Sequence, residues 1–562
     1  MTGRTVVIGS GAGGATAAMA LAEAGLDVTI LEKGTNYFGH LTAERPETLF
    51  HGDEIRSRRA FAPPDLLSEP RVWRSSPSDS EPVVGSVQPM PQTVGGATVH
   101  WDAKTPRFWD IDFSKLSMLG PVEGAAVEDW PFSYDEIAPF YDEIEELIGV
   151  QGELSRLPEL TLRHAPRSGP LPMPAGPPQY SSVVVSAGCE RLGLHPYPSL
   201  MAINSRNYGG RPACTNCGMC SGYACAIQAR GSSLQPLRRA LLAGAELIER
   251  STVTGVMTKG RHVTGVSFLD ASGRNRAMAA DQVVMAANAI ETVRLAIGSR
   301  LPDPFSVTGR YVMFHWFTLG SAIFLGERLH AHIGRDHTHE MDDFADPDFE
   351  GAQAAAKEAG LPYFRGGKLE LGGSQPPVDE AAQYQAILSL ISPDRPFGSA
   401  FKQLMRASLL RDRLLGVTMV GEDLPYASNQ VDLDPALKDW RGSPVARVTY
   451  GPGPHELAAQ AFYLPWIRKL LDASGADVAI ALPDLPSVRF PIAANSTLQH
   501  AHVMGGMRMG ADPHTSVTDG TGRHHHLDNL FVADGSVFPS SGAHNPTLTL
   551  MATALRNARL WT

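Results

Sequence analysis

Four of the five cysteines in the chain fall within twelve residues and could hold a metal. Cys214, Cys217, Cys220 and Cys225 have the spacing C-x2-C-x2-C-x4-C. Thiolates this close together are typical of iron–sulfur clusters, and four of them can also bind zinc tetrahedrally. The spacing differs from the bacterial C-x2-C-x2-C-x3-C-P run. An iron–sulfur cluster, a zinc site and a cysteine-rich loop without metal therefore all remain open.

A second group of residues, near the N-terminus, could bind a dinucleotide. Gly9, Gly11 and Gly14 have the G-x-G-x-x-G spacing, which provides a tight turn, room for a pyrophosphate and close packing of helix on strand. Glu32 follows 23 residues after Gly9 and could accept hydrogen bonds from a ribose. An acid there disfavours the 2′-phosphate of NADP. NAD and FAD both fit, and the position at the start of a long chain favours FAD.

The residues around these glycines predict the elements that would position them. Residues 5–8 form a short β-branched run, residues 13–24 an alanine-rich helix, and residues 27–31 a second strand that ends at Glu32. Strand, glycine loop, helix, strand and acid occur in the order of a Rossmann unit. The positive end of the helix would then face the phosphates.

The composition of the whole chain narrows its class. The chain has 562 residues, 43% of them hydrophobic, which is enough for two or three domains with sizeable cores. The formal charge of −11 does not suggest a nucleic-acid partner. We find no apolar run long enough for a transmembrane segment and no signal-peptide pattern before residue 5, so a cytoplasmic location is expected.

Segments at both ends of the chain resemble the glucose–methanol–choline (GMC) family of flavin oxidoreductases. The resemblance is carried by the glycine loop, by HVMGGMRMG at residues 502–510 and by DNLFVADGSVFPSSGAHNPTLTLMATALR at residues 528–556. It extends from residue 5 to about residue 561 and is poor near residues 330–415. The segment GGATVHW at residues 95–101 is most similar to the branch of pyranose oxidases and sugar or gluconate dehydrogenases.

The resemblance implies an α/β fold of two interleaved domains. An N-terminal Rossmann-type FAD-binding domain would comprise residues 1–115, 196–300 and 495–562. An α+β substrate-binding domain with a large antiparallel sheet would comprise residues 116–195 and 301–494. Since the flavin site would need both ends of the chain, the two domains are expected to form one enzyme.

A catalytic pair is also implied by the resemblance. His502 aligns with the family's base, which takes the hydroxyl proton of an alcohol while the carbon-bound hydrogen leaves as hydride for the flavin N5. Histidine suits this role because its pKa lies near neutrality. Asn545 aligns with the partner of the base and could bind the substrate oxygen, although an amide cannot be a second base. His500 and His544 are expected to pack or to support this pair.

Further residues are expected to contact FAD. His100 aligns with the histidine that pyranose oxidases bond covalently to the flavin 8-methyl group; the alternative is a non-covalent histidine packed against the flavin edge. Asp534 and Gly535 would contact the phosphate–ribityl region. Pro546 and Thr547 would open a last helix over residues 547–558, whose positive end faces the flavin pyrimidine. The other expected contacts are Gly96, Val253 and Ala287, together with Gly9, Gly11, Gly14 and Glu32.

Three other features of the chain can be interpreted with this resemblance: the cysteine segment, His315 and the acidic residues 340–350. Many family members carry a similar cysteine loop without metal, followed by a basic residue and a serine, here Arg230 and Ser232, so absence of metal is favoured. His315 ends a segment, residues 309–315, that resembles a strand leading out of the flavin domain; it would pack in the core or border the pocket. Residues 340–350 contain six acids and are expected to form a solvated loop, or else a rim that attracts a cationic substrate.

These features predict FAD-dependent oxidation of a secondary alcohol of a sugar or glycoside to a keto-sugar, at carbon 2 or 3. Electrons would pass to oxygen or to an external acceptor, for which a small subunit is one candidate. The alternative is a dehydrogenase that oxidises an amino sugar or another secondary-metabolite alcohol and uses an acceptor other than oxygen. A flavoprotein that has lost catalysis and only binds is disfavoured by the His502–Asn545 pair.

Overall fold

Two large hydrophobic cores organise the computed structural model, which describes residues 3–43, 69–79, 82–85, 91–220, 222–373, 376–381, 385, 397–408, 410–482 and 502–562. The larger core gathers apolar residues from both ends of the chain. The second core lies mainly among residues 185–371 and 415–479. Each hydrophobic core is thus built from segments that are far apart in sequence.

A five-stranded parallel sheet carries the N-terminal glycine loop. Its strands lie in the order Leu530–Val532, Gln282–Met285, Arg4–Ile8, Asp27–Leu31 and Glu246–Ile248. Val6, Val7 and Ile8 are all buried, which explains why the first strand is apolar without alternation. The Rossmann-type domain expected from the sequence is confirmed, and strands from the first, middle and last parts of the chain build its sheet.

Helices and a small sheet pack around these parallel strands. Helix Ala12–Glu23 follows the first strand and packs against helices Leu234–Leu242 and Thr547–Leu560. Most of its residues are glycine or alanine, which lets the last helix of the chain approach it closely. A three-stranded antiparallel sheet contacts strand Gln282–Met285 and consists of Thr252–Lys259, His262–Leu269 and Asn275–Ala279.

The second domain contains the large antiparallel sheet that was expected. Its six strands lie in the order Val478–Leu482, Trp316–Ile323, Leu414–Gly421, Gly367–Leu371, His339–Met341 and Tyr197–Pro198. Helices Pro454–Ala473 and Tyr180–Arg191 pack on this sheet and enclose the second core. The strand at residues 316–323 begins directly after His315, whereas isolated bridges occur at Arg310 and Met313 in the segment predicted as a strand.

A four-stranded sheet joins an early part of the chain to a late one. Its strands lie in the order Gln430–Lys438, Pro444–Thr449, Arg71–Arg74 and Val83–Gly85, and the central pair is parallel. Strands Arg71–Arg74, Val83–Gly85 and Tyr197–Pro198 therefore share sheets with residues assigned to the other domain by sequence. The proposed domain boundaries stay a prediction. These strand pairings are the places where residues assigned to different domains lie in one sheet.

The remaining helices of the described residues connect these sheets. They are Asp110–Phe113, Lys115–Leu119, Tyr134–Ile148, Glu159–His164, Ala289–Gly298, Ala352–Glu358 and Gly398–Ala407, with short 3-10 turns at Gly96–Val99, Leu154–Arg156, Asp343–Ala345 and Gly535–Val537. Among the described residues, none of the helices combines the length and apolar composition that crossing a bilayer would require.

Candidate active site

A cavity of about 770 Å³ lies between the carboxyl ends of the parallel strands and the six-stranded sheet. Its volume is in the range of cofactor and ligand pockets. The predicted catalytic and cofactor-binding residues line it, with the single exception of Gly14. Strand ends at a junction of this kind are the usual position of dinucleotide sites in open α/β sheets.

The glycine loop has the geometry that a dinucleotide requires. Gly9 has φ +100°, and a Cβ atom there would lie 2.4 Å from the Ala286 carbonyl oxygen. Gly11 faces the cavity directly before helix Ala12–Glu23, whose free N–H groups and positive end point to the same space. Gly14 lies behind the loop, where a Cβ atom would meet the Gly9 carbonyl oxygen at 2.1 Å. A diphosphate therefore fits at this end of the cavity.

Glu32 is held in place at the end of the second parallel strand. Its Oε2 atom accepts hydrogen bonds from the backbone N–H and hydroxyl of Ser10, at 2.9 and 2.7 Å, and its Oε1 atom accepts one from the Gly34 N–H at 2.7 Å. Ser251 donates its N–H to the Glu32 carbonyl, which brings the nearby Val253 to the same part of the cavity. These contacts leave the carboxylate edge available to a ribose.

Hydrogen bonds near the centre of the cavity join the loop after strand Gln282–Met285 to the loop after strand Leu530–Val532. The Ala287 N–H donates to the Thr292 hydroxyl at 3.0 Å, and that hydroxyl donates to Asp534 Oδ2 at 2.5 Å. Burial raises the pKa of Asp534. Gly535 follows at the start of a 3-10 turn that Asp534 caps. The loops after two neighbouring parallel strands are thus fixed relative to each other, beside the glycine loop.

His100 reaches the cavity on a segment that packs against the glycine loop. Gly96 has φ +58°, and a Cβ atom there would lie 2.9 Å from the Gly11 Cα. The following 3-10 turn, Gly96–Val99, carries His100 to the cavity wall. Burial and the charge of Arg230 lower the pKa of His100 to about 4. The imidazole is therefore neutral at physiological pH, as a nucleophile must be.

His502 and Asn545 face the same cavity from two segments that are 43 residues apart in sequence. Burial lowers the pKa of His502 to about 4. Its backbone has φ +69°, a left-handed conformation that is rare for a residue other than glycine. The Asn545 amide nitrogen donates to Glu370 Oε1 at 3.1 Å. Within the described residues, the buried Asn545 Oδ1 atom accepts no hydrogen bond.

Asn545 directly precedes the last helix, Thr547–Leu560. Pro546 occupies the N-cap position, one residue before the first helical residue, and both Pro546 and Thr547 line the cavity. The first turn contains no acid that would neutralise the positive end of the helix. Negative charge that develops in this part of the cavity would therefore be stabilised.

His315 lies behind His502 and contacts it directly. The Nδ1 atoms of the two rings are 2.7 Å apart, and His315 Nε2 lies 2.8 Å from the Gly542 carbonyl oxygen. His315 is fully buried and does not line the cavity. His544 contacts Asp342 on the far side of the loop, whereas His500 lies outside the described residues.

Acidic side chains from two distant parts of the chain complete the cavity wall near Asn545. Asp102 and Glu370 line the cavity, and His337 lies beside them, with one ligand atom from each of the three within 4.8 Å of the others. Burial and the charge of Glu370 raise the pKa of Asp102 to about 6. Burial opposes ionisation of Glu370, but the charge of Lys368 outweighs it and lowers the pKa. No motif marked Asp102 or Glu370 in the sequence.

The expectation of a solvated loop over residues 340–350 is wrong for its first half. Glu340 and Asp342 are buried. Lys368 pairs with Glu340 at 2.9 Å, and the Tyr197 and Thr161 hydroxyls donate to Asp342. Burial of these acids is stabilised by partners that are distant in sequence. The first half of the stretch therefore contributes to the interior, while Asp348 and Glu350 in its second half are exposed.

The cysteine segment packs behind the loop that carries His100. Arg230 donates hydrogen bonds to the carbonyl oxygens of Val99, Trp101 and Tyr223 and so ties the two loops together. Burial raises the pKa of Cys220 to about 12. Within the described residues, the group with closely spaced potential ligand atoms is Asp102, His337 and Glu370, and the four cysteines form no such group.

A Rossmann sheet and a large antiparallel sheet that enclose one cavity, with a histidine and an asparagine at its centre, define a two-domain oxidoreductase of the dinucleotide-binding type. Three family models match the chain. They are GMC oxidoreductase models at residues 125–333 and 425–554 and an NAD(P)-binding Rossmann-like domain at residues 7–61.

Curated relatives extend over nearly the whole chain. A 2-methyl-1,2-propanediol dehydrogenase of Mycolicibacterium austroafricanum is 30% identical over 98% of this chain and 93% of its own length. A 6'''-hydroxyparomomycin C oxidase of Streptomyces lividus is 29% identical over 98% and 90%. The gluconate 2-dehydrogenase flavoprotein of Pantoea cypripedii is 27% identical over 96% and 90%. The chain belongs to the GMC oxidoreductase family, whose members act on CH–OH groups.

Solved structures show the same fold. A pyridoxine 4-oxidase from Mesorbium loti has a TM-score of 0.59 at 17% identity and covers 99% of both chains. A formate oxidase of Aspergillus oryzae, in a structure concerned with modification of its FAD, has a TM-score of 0.60 at 15% identity, over 100% of this chain and 98% of its own. Family and fold together imply FAD as the cofactor, and the glycine loop and cavity fit it.

Proposed function

We propose that this protein oxidises a secondary alcohol of a sugar or glycoside to a keto-sugar, at carbon 2 or 3, with FAD. The observation that carries the proposal is that His502 and Asn545 line the same cavity as the glycine loop. Relatives named for gluconate and for hydroxyparomomycin C support a sugar-like substrate. When bound, FAD would accept the carbon-bound hydrogen of the alcohol together with its two electrons.

His502 would be the base that takes the hydroxyl proton. A base must be unprotonated before the reaction, and burial keeps the pKa of His502 at about 4, so the ring is neutral near pH 7. Glu370 favours the charged form of the ring once it has taken the proton, and the neighbouring Lys368 opposes it. The cavity wall thus favours the neutral base in the resting enzyme and moderates its charge afterwards.

Asn545 would orient the substrate. Its amide nitrogen is held by Glu370, so its Oδ1 atom can accept a hydrogen bond from a second hydroxyl of a polyol, and its other N–H can donate to the reacting oxygen. Two groups on different segments would then fix the alcohol carbon relative to His502. Such positioning is a large part of the effect of any enzyme on rate.

The expected flavin contacts complete the proposal. Glu32 would bind the ribose, the glycine loop the diphosphate, and Asp534 with Gly535 the ribityl region. The positive end of helix Thr547–Leu560 would stabilise negative charge on the pyrimidine. His100 would form a covalent bond to the flavin 8-methyl group, for which a neutral imidazole supplies the electron pair. One C–H bond of the methyl group and the imidazole N–H bond would break, and the two protons and two electrons released would reduce the flavin ring, which the electron acceptor then reoxidises.

A second candidate function is supported by the acids of the cavity wall. Asp102 and Glu370 line the cavity near His502, and a carboxylate there would attract an ammonium group. Two relatives, the hydroxyparomomycin C oxidase and a paromamine 6'-oxidase of Streptomyces fradiae that is 27% identical, are named for amino-sugar compounds. The alternative is thus oxidation of an amino sugar, with electrons passed to an acceptor other than oxygen, such as a small subunit.

Anaerobic bleaching of the purified yellow protein tests both functions. Neutral pyranosides and their 2-amino analogues are added in pairs, the flavin absorbance is followed, and the product is identified by NMR. We expect His502→Ala to slow bleaching at least about 100-fold, the lower bound for loss of a general base. His262→Ala, at an exposed position far from the cavity, is the matched control. The rate of oxygen uptake is then compared with the rate at which the enzyme reduces an artificial dye, which shows whether oxygen is the electron acceptor. A flavin-free protein, or unchanged bleaching in His502→Ala, would contradict the proposal.

A further inference from the structure

The contact between His315 and His502 determines where the protons of the two rings lie. The Gly542 carbonyl oxygen can only accept a hydrogen bond, so His315 Nε2, 2.8 Å away, must carry a hydrogen. A neutral imidazole carries only one N–H, which leaves a lone pair on His315 Nδ1. The facing Nδ1 atom of His502, at 2.7 Å, must then be the donor. His502 Nε2 is consequently left with a lone pair.

We propose that His315 is a positioning residue that holds His502 in the tautomer whose bare Nε2 can accept the substrate proton. This inference rests on the proposed role of His502 as the base. An imidazole in water prefers its hydrogen on Nε2, and that tautomer could not take a proton through the same atom. The hydrogen bond made by one ring nitrogen sets the protonation of the other, which is how a third residue prepares a base.

The same contact is retained when His502 becomes charged. Protonation adds a hydrogen at Nε2 and leaves the Nδ1–H donated to His315, so neither ring needs to turn. A hydrogen bond from a charged donor is stronger, and the neutral His315 therefore stabilises the charged ring. The groups around the pair are Glu370 and Lys368 near His502, with His544 and Glu422 near His315.

The loop at residues 542–545 acts on both groups that would contact the alcohol: it carries Asn545, and it binds His315, which in turn contacts His502. Gly542, which fixes the proton of His315, lies three residues before Asn545. Lys368 donates its backbone N–H to the carbonyl of the intervening Ala543 at 2.9 Å and anchors this loop to the six-stranded sheet. The tautomer of the base and the position of its amide partner thus depend on a single short segment. His315 acts through His502, since it is fully buried and does not line the cavity.

Two substitutions at position 315 separate this role from simple packing. Asparagine can place its amide oxygen near the site of the His315 Nδ1 atom and keep the acceptor, whereas phenylalanine fills the space without one. We expect His315→Phe to lower the limiting rate of flavin reduction roughly 10- to 100-fold, with little change in substrate affinity. His315→Asn should stay within a few-fold of the wild type. An equal loss in both variants, or no loss in His315→Phe, would overturn the inference.

A spectroscopic measurement on the wild type needs no catalysis. Protein with ¹⁵N-labelled histidine gives long-range ¹⁵N–¹H spectra that distinguish protonated from bare ring nitrogens, and His502→Asn identifies the signals of His502 by their loss. We expect Nδ1 of His502 to be protonated and Nε2 to be bare. The opposite pattern refutes the inference even if His315→Phe does not fold. If His502→Asn reduces flavin normally, the proposed function fails, while the spectrum still reports the tautomer.

Discussion

The Asn545 amide nitrogen donates to a carboxylate oxygen of Glu370 that lies 3.6 Å from the Lys368 ammonium group. The charge of Lys368 keeps Glu370 ionised despite its burial. An ionised carboxylate accepts hydrogen bonds only, so the amide can turn just its NH₂ group towards it. The orientation of Asn545, and hence the direction of its free oxygen, is set by an ion pair on the six-stranded sheet.

This relationship predicts a pH-dependent defect in Asn545→Asp. A second carboxylate next to Glu370 repels it when ionised, but when protonated it can donate its O–H to Glu370 as the amide does. The rate of flavin reduction relative to the wild type should therefore be lowest at high pH and recover as the pH falls. Asn545→Ala is the control, because its relative rate should not depend on pH. A flat ratio in both variants would contradict the orientation argument.

The protonation of His502 predicts the acid limb of the reaction. Its pKa is lowered to about 4 by burial, so the base is active above that value and is lost only as the pH approaches it. The limiting rate of flavin reduction should thus be nearly constant between pH 8 and pH 6. Stopped-flow measurements under anaerobic conditions at constant ionic strength test this. A decline in rate centred near the ordinary histidine pKa of about 6.5 would contradict the prediction that burial lowers the pKa of His502 in the working enzyme.

His455 predicts a loss of stability at alkaline pH. It is fully buried, and burial alone would lower its pKa, but the Glu422 and Glu456 carboxylates, 3.2 and 3.3 Å from its ring nitrogens, outweigh burial and raise the pKa to about 9. A group with a raised folded pKa stabilises the protein fully below its unfolded value of about 6.5 and loses this contribution as the pH rises through 9. His455→Gln should be less stable at pH 6.5, and its melting temperature should fall less between pH 6.5 and 9.5 than that of the wild type.

The matched variant is His262→Gln, which alters a histidine with 65% of its side chain exposed. Its melting temperature should follow the wild type over the same pH range. If His455→Gln and His262→Gln lose equal amounts between pH 6.5 and 9.5, the buried ring does not carry the expected charge. Differential scanning calorimetry with a fixed amount of bound flavin gives the necessary comparison.

Asp102 predicts how the enzyme distinguishes charged from neutral sugars. Burial and Glu370 raise its pKa to about 6, so its negative charge is present above that pH. If an amino sugar is the substrate, its KM should fall as the pH rises through 6. Asp102→Asn should raise that KM roughly 10-fold or more, since a hydrogen bond to a charged group contributes about 1.5–3 kcal/mol.

The neutral analogue of the same sugar should change little in Asp102→Asn, and the exposed Asp512→Asn is the matched control. A similar rise for both sugars would mean that Asp102 maintains the shape of the pocket. It would favour the neutral sugar or glycoside as the natural substrate.

His100 lines the cavity and is neutral at physiological pH, so we expect it to form the proposed covalent bond to the flavin. Denaturation with acid should leave the yellow colour with the precipitated protein in the wild type and release it in His100→Ala. The same samples serve for measurement of iron and zinc, which tests the cysteine segment directly. If the wild type releases its flavin, His100 is a non-covalent contact at the flavin edge.

The two ends of the chain were predictable from sequence because local motifs specify their geometry. The glycine loop fixes a strand, a turn and a helix within thirty residues, so Gly9, Gly11 and Glu32 could be placed without a structure. The segments around His502 and Asn545 carry distinctive spacings of the same kind. The structure brings both segments to the cavity that these glycines line.

The middle of the chain was less predictable because its contacts are long-range. His315 meets His502 across 187 residues, and Glu370 meets Asn545 across 175. Residues 340–350 are predicted to be solvated because an acid-rich stretch usually is, yet Lys368 on the neighbouring strand forms an ion pair with Glu340 at 2.9 Å. Strand His339–Met341 buries all three of its residues, so the usual alternation of buried apolar and exposed polar residues gave no signal that Glu340 lies inside.

The order of strands in the parallel sheet has a consequence for how the chain matures during synthesis. Strand Arg4–Ile8 pairs with Gln282–Met285, and the outermost strand, Leu530–Val532, is made more than 240 residues later still. At ribosomal rates of about 5–20 residues per second, the first strand waits on the order of tens of seconds for one neighbour and longer for the completed sheet. The nucleotide pocket therefore closes only after the strand at residues 530–532 and the segment that carries Asn545 have been made. A complete flavin site would thus form late in synthesis, long after the first apolar strand has been made.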